Sequence, residues 1–491
     1  MGTGLSLLDT AVIVCLMVLV TWAGHRLSGH INDRHSFFQA GGSLPWWAVS
    51  ASIVATLVSS VTFVSVPANV FKEGGNLTYF QLILGLAFGK ILVAWLVARP
   101  FYLSQGVNTS YEYIAARMDR PTGELSMVLG LILNVITSGV KLLTASIVLD
   151  VVTAWGIPGC AAVVVAIGVL WSTLSGIKTV IWTDFLLFVL FSAGAVFALV
   201  FIWLELESPI RDVLVALDTK AKLTLFDTST DATVRYTIWT GVLGGFALTL
   251  AQACTQGTWQ RVRACKNVAD ARKAYGWSAA FYLMHLIILA VGLGLVAFYA
   301  ERGLPPEIAT VLPQSPDRIF PYFVATEIPA GISGLFFAAI FAAAISTLDS
   351  TLAESADLTV RHIYEKFIQT GQSEAHYLRA SRVIVALWGL AFFGVTLVFA
   401  RFADQGLLDL TFKLPGYVTG VVLATIVLAR FGIGGIKSFL AGVLVACVLV
   451  YIMQDLGIAF LYWCPASGIA MLTTVWLFDR KRPDLEGLVN V

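Results

Sequence analysis

The sequence predicts an all-α polytopic membrane protein of about thirteen transmembrane helices, and three observations lead there. Hydrophobic residues make up 58% of the 491 residues and charged residues only 12%, against roughly a quarter charged in soluble domains. The apolar residues gather in runs of about 20, the length that crosses a bilayer. Basic residues concentrate in alternate loops, as a fixed orientation in a membrane requires. The net charge of +1 gives no reason to invoke nucleic acid or a polyanionic partner.

In chain order, the first run (5–27) lacks the basic leader and cleavage site of a signal peptide and reads as a retained helix. Twelve more follow, near 44–70, 79–103, 124–152, 158–175, 179–203, 237–259, 276–299, 330–358, 381–400, 406–429, 437–454 and 456–477. With the N-terminus outside, twenty Lys and Arg fall in cytoplasmic loops and eight in external ones, while Lys90, Lys141 and Lys413 lie within spans. That bias predicts a multi-pass protein of the plasma (inner) membrane with an external N-terminus and a cytoplasmic C-terminus. The external segment 204–236 is rich in Asp and Thr and is expected to be a solvated loop. Only a short tail follows the last span, with no room for a soluble signalling or nucleotide-binding module. The six cysteines form no CxxC pair, so neither a metal site nor a disulfide framework is expected.

The ninth span turns polar at membrane depth: its centre reads Phe341-Ala-Ala-Ala-Ile-Ser-Thr-Leu-Asp-Ser-Thr351. Lipid offers a hydroxyl or carboxylate no partner, so such groups face a cavity, an ion or each other. Ala343, Ser346, Thr347 and Ser350 share one helical face, with Asp349 about 60° from Ser346. The stripe can present oxygens to a small hard cation; alternatively the hydroxyls bond back to their own helix or join neighbouring helices.

Two spans look interrupted. The second carries β-branched and hydroxyl residues from Ala55 to Ser65, followed by Pro67, and its freed carbonyls suit a cation. The seventh passes Gly241, Gly244 and Gly245 before Gln252, Thr255, Gln256 and Gly257. If spans two to six and seven to eleven form two halves of opposite orientation, these two occupy corresponding positions, the pattern that marks a transporter's midplane site.

Several motifs coincide with these features: Phe37-Phe-Gln-Ala-Gly-Gly-Ser-Leu-Pro-Trp-Trp47, Ala55 to Pro67, Thr109-Ser-Tyr-Glu-Tyr-Ile-Ala-Ala-Arg117, Gly176-Ile-Lys-Thr-Val-Ile-Trp-Thr-Asp184, Gln260-Arg261 and Ala342 to Ile363. Through them the chain resembles the sodium:solute symporter family over nearly its whole length. The resemblance implies a single transporter domain with a LeuT-like 5+5 inverted-repeat core. Residues 1–43 would be a first helix and loop, 44–430 the ten-helix core, and 431–491 two further helices and a tail.

It also implies a first sodium site from the carbonyls of Ala55, Val58 and Ala343 with the hydroxyls of Ser346 and Thr347. A second site, present in some members, would use Asp184, Ser346, Asp349 and Ser350. Asp349 replaces a common Ser there, and so could strengthen sodium binding, carry a proton, or pair with Lys413 or Lys141. Asp184 could instead cap its helix or pair with a basic neighbour. For the solute, the resemblance points to Ser59, Thr62 and Gln81, which donate and accept hydrogen bonds. Thr255 and Gln256 at the second interruption are further candidates, and Tyr79, Phe80, Phe63 and Trp259 are candidate stacking surfaces. Members similar to sialic acid symporters carry an Arg on the third core helix, where this chain has Thr137-Ser-Gly-Val-Lys141. Lys141 offers a point charge without the bidentate fork, which favours a neutral sugar or polyol. His285 either faces the cavity or is a packed residue.

The expected function is sodium-coupled secondary active symport of a small polar solute (a sugar, polyol or sialic-acid-like compound). Alternatives are symport of a small carboxylate or amino acid, or a transporter-like solute sensor. The expected partners are the solute, sodium ions and the lipid bilayer, with no obligate protein partner. An enzyme is not expected, because the six histidines are dispersed and no acid-base or metal cluster stands out.

Overall fold

The computed structural model describes residues 6–28, 42–57, 60–103, 107, 109–174, 177–405 and 407–479. Val58 and Ser59, residues 37–41 and 176 of the motifs, and the tail from 480 lie outside them. The principal helices are α1 (Leu7–Ser28), α2 (Trp46–Leu57), α3 (Ser60–Phe71), α4 (Tyr79–Leu96), α5 (Ser110–Arg117), α6 (Arg120–Thr153), α7 (Gly156–Leu174) and α8 (Ile177–Leu204). They continue with α9 (Ile210–Thr219), α10 (Gly244–Ala253), α11 (Gln256–Ala264), α12 (Val268–Tyr282), α13 (His285–Arg302), α14 (Ile332–Thr359), α15 (Glu374–Phe399), α16 (Leu407–Phe431), α17 (Ile436–Asp455) and α18 (Trp463–Phe478). Among the described residues, eleven spans are long and apolar enough to cross a membrane, and two bent pairs raise the number to thirteen, as expected.

Both bends fall in the spans whose sequence suggested interruption. The pair Trp46–Thr56 and Ser60–Phe71 is inclined by 55°, and Ile238–Ala253 and Gln256–Ala264 by 69°. Pro67 is not the cause of the first, because it sits inside α3. Its backbone lies against α13, where a Cβ on Gly292 would come within 3.0 Å of Pro67 Cα. At the second bend the Gln252 carbonyl accepts from Thr255 Oγ1 (2.8 Å) and Thr258 Oγ1 (2.9 Å). Threonine side chains thus add to the backbone amide of Thr255, which also donates to this carbonyl at the break.

Small residues allow the first and second halves to meet closely. A Cβ on Gly85 of α4 would stand 2.2 Å from the Val242 carbonyl oxygen, and one on Gly245 2.8 Å from that of Leu82. No side chain fits there, so the backbones pack directly. The start of α14 is tied to α1: Asp9 Oδ1 accepts from Gly331 N (2.7 Å), Ser333 Oγ (2.7 Å) and Gly334 N (2.8 Å). A carboxylate on the N-terminal amides satisfies donors that lipid cannot.

The segment 204–236 is more than a solvated loop. It forms α9 and then buries Lys222, whose Nζ donates to the carbonyls of Val70 (2.8 Å), Phe71 (3.3 Å) and Lys72 (2.7 Å). Those carbonyls lie at the end of α3, so a lysine remote in sequence caps the broken span. Arg235 further pairs with Asp409 on α16 at 2.8 Å.

Candidate functional site

The bends of α2–α3 and α10–α11 face one central cavity of about 240 Å³. Thr56 and Thr62 line it from the first bend, Gln252 and Thr255 from the second, and Lys141 from α6. Of the expected solute contacts, Thr62, Lys141 and Thr255 are therefore brought together. Ser59 lies outside the described residues. Gln81 and Gln256 are absent from the cavity wall. Gln81 is fully buried on α4 and donates through Nε2 to the Tyr236 carbonyl at 2.8 Å. Gln256 Oε1 accepts from the Ser110 amide at 3.0 Å, holding the start of α5. Each glutamine thus makes one scaffold contact, while Gln81 Oε1 has no partner among the described residues.

Along α14, Ala343, Ser346 and Thr347 are buried, as is Ala55 on α2. Thr347 Oγ1 donates to the Ala343 carbonyl at 2.9 Å, and Ser350 Oγ to that of Ser346 at 3.2 Å. Ser346 Oγ donates to Asp184 Oδ1, while Ser52 Oγ reaches Asp184 Oδ2 at 2.5 Å. Asp184 on α8 thereby joins α14 to α2 one turn before Ala55, and Val58, the remaining expected ligand, is not described.

Asp184 also pairs with a basic neighbour, an alternative its sequence left open, and the partner is Arg261, which the sequence did not single out for that role. Arg261 Nη2 lies 3.3 Å from Asp184 Oδ2, with both side chains almost fully buried. The guanidinium also donates through Nε to Ser52 Oγ (3.1 Å), through Nη1 to the Gly257 carbonyl (3.2 Å), and through Nη2 to Thr56 Oγ1. One arginine on α11 therefore braces α2, α8 and its own bend. The signal was its place two turns past the second interruption, where a cytoplasmic loop residue had been expected.

Of the four residues of the expected second sodium set, Asp184, Ser346 and Ser350 are linked by hydrogen bonds, whereas Ser350 and Asp349 line different cavities. Ser350 lines the central cavity. Asp349 lines a separate, membrane-facing cavity of about 980 Å³ beside α1, and its Oδ1 has no partner among the described residues. Neither lysine suggested for it is its partner: Lys413 lies 3.8 Å from Asp409, and Lys141 Nζ donates to the Thr56 carbonyl at 3.4 Å. Glu354 of α14 is buried and lines the central cavity.

Of the aromatic candidates, Tyr79 lines the cavity. Phe80 meets Phe226 edge-on, Phe63 packs among Phe191, Phe320 and Phe336, and Trp259 packs on Phe101 and Tyr113. His285 is a packed residue: its Nδ1 lies 2.8 Å from the Tyr282 carbonyl and it is fully buried outside the cavity wall. Lys90 of α4, by contrast, does line the wall. Its cations are then Lys90, Lys141 and Arg261, against the single carboxylate of Glu354.

Comparison with known proteins agrees with this architecture. A model of the sodium:solute symporter family matches residues 37–432. Sodium-coupled monocarboxylate transporter 2 of Bos taurus is 26% identical over 439 residues, covering 88% of this chain and 69% of the relative. Sodium/sialic acid symporter NanT of Aliivibrio fischeri is 29% identical over 369 residues, covering 73% and 70%. Among solved structures, a Na+-coupled sialic acid symporter in a substrate-bound outward-open state superposes with a TM-score of 0.82 at 21% identity, covering 96% of this chain and 97% of that one. The chain belongs to the sodium:solute symporter family: it is a sodium-coupled solute symporter with the LeuT-like fold.

Proposed function

We propose that this symporter imports one small polar organic solute with one sodium ion by alternating access, with its N-terminus outside. The observation that carries the reading is that both bent spans face one cavity, beside the buried oxygen stripe of α14. Sodium binds between α2 and α14, through the carbonyls of Ala55, Val58 and Ala343 and the hydroxyls of Ser346 and Thr347. By bridging the bend to α14 it stabilises the arrangement in which Thr62, Lys141 and Thr255 face the solute. Inward opening separates α2 from α14 and releases both. Gln81 and Gln256 hold the scaffold and do not touch the solute.

A single ion is favoured because the guanidinium of Arg261 already supplies the positive charge at Asp184. The carboxylate so compensated has less to offer a second sodium. One sodium crossing 100 mV supplies about 2.3 kcal/mol, and a tenfold sodium gradient about 1.4 kcal/mol. Together they support accumulation of a neutral solute by several hundredfold.

The test is uptake into proteoliposomes under a sodium gradient compared with a potassium gradient of the same size. Equal uptake in both would overturn sodium coupling through α14. Uptake that follows a pH gradient instead would assign coupling to protons.

A further inference from the structure

We propose that Lys90 anchors a carboxylate of the transported solute, so that the solute is a small organic anion; this rests on the symporter reading above. Lys90 stands in the inner part of α4, is 1% exposed and lines the central cavity. Its Nζ lies 5.1 Å from the ring centroid of Tyr282 on α12. Among the described residues that ring face is its one partner, for no carboxylate lies within ion-pairing distance and no acceptor within hydrogen-bonding distance. An ammonium removed from water without an acceptor is costly. A charged residue at membrane depth marks a substrate or ion pathway unless a partner accounts for it.

The other cations of the cavity are accounted for. Arg261 is committed to Asp184, and Lys141 donates to the Thr56 carbonyl at 3.4 Å. Lys90 has no equivalent, and the groups beside it in the wall do not supply one. Thr249 Oγ1 donates to the Leu86 carbonyl at 3.1 Å, which leaves its hydrogen elsewhere. Gln252 also lines the wall, and its amide nitrogen is suited to donate a second hydrogen bond to a carboxylate. The apolar and aromatic remainder, with Leu86, Leu248 and Tyr282, fits the carbon body of a small acid.

This assignment has a consequence for energetics. One sodium and one monoanion carry no net charge, so uptake follows the sodium gradient and ignores the membrane potential. A neutral sugar carried with one sodium would respond to both.

The experiment uses the full chain in proteoliposomes, with radiolabelled pyruvate, lactate, N-acetylneuraminate and glucose, each with sodium and with potassium. Sodium-dependent uptake of at least one of the acids, unchanged by an imposed potential, is the expected result. Lys90→Met lowers that uptake more than tenfold and raises KM, while sodium still raises the thermal stability of the detergent-solubilised variant, which shows that it folds and binds the ion. Lys90→Arg, which keeps the charge, retains more uptake than Lys90→Met. Uptake of the acid by Lys90→Met at the wild-type rate overturns the anchor and makes Lys90 a neutral packed amine. Uptake of glucose alone, or of none of the acids, overturns the anionic solute class. These outcomes leave sodium coupling standing; indifference of every wild-type signal to sodium overturns the symporter reading itself.

Discussion

Arg261 and Asp184 form a buried ion pair, with Nη2 3.3 Å from Oδ2, at the point where α2, α8 and α11 converge. Ser52, Ser346 and Thr56 fill the remaining hydrogen-bonding positions around them. Removing one member of such a pair leaves the other charged and buried, which costs on the order of 3–5 kcal/mol. Asp184→Asn should therefore lower the melting temperature sharply, and adding Arg261→Gln should recover part of the loss. A double-mutant cycle on thermal stability measures the coupling, and additive effects would mean the pair does not form. The ratio of ²²Na to solute flux in the wild type should be one, whereas two would place a second ion beside Asp184.

Ser346 belongs both to the proposed sodium site and to the Asp184 network. Ser346→Ala should raise the half-saturating sodium concentration for uptake at least tenfold, about 1.4 kcal/mol. Ser350→Ala removes only a hydroxyl bonded to the Ser346 carbonyl and should shift it much less. Sodium titrations of initial uptake rates compare the two.

Gln256 separates a scaffold role from a solute-binding one. Gln256→Ala exposes the Ser110 amide at the start of α5 and should cost about 1 kcal/mol of stability, as loss of a helix cap does. The KM for solute should stay within twofold, because Gln256 is not in the cavity wall. A KM increase of tenfold or more would return Gln256 to the solute site.

Lys222 makes the cap on α3 pH-sensitive. Burial, reinforced by Lys220 and Lys72 nearby, pushes its ammonium down to about 8 from the usual 10.5. Between those values the unfolded chain binds more protons than the folded one, so folding stability rises with pH across that window. Below about pH 8 both states are protonated and this contribution is flat. Thermal melts from pH 7.5 to 10 should show the wild type gaining stability relative to Lys222→Met. Parallel curves would mean that Lys222 titrates normally.

The sequence by itself determined the number of spans, the two interruptions and the polar face of α14. These are one-dimensional features, written in apolar length, in helix-breaking composition and in a 3.6-residue period. That period gives angles between residues on one helix; it does not give the rotation of the helix about its axis or the identity of its neighbours. Asp349 and Ser346 are close on the helical wheel, yet Asp349 lines a membrane-facing cavity while Ser346 joins Asp184. Gln81 looked as ready for a solute as Thr62, and only the packing of α4 against Tyr236, 155 residues away, takes its amide out of the cavity. Lys90 and Arg261 were visible as charges within or beside apolar spans. That one is paired and the other is left facing the cavity is decided by contacts between helices remote in sequence, where the low polarity of the interior makes each partner count.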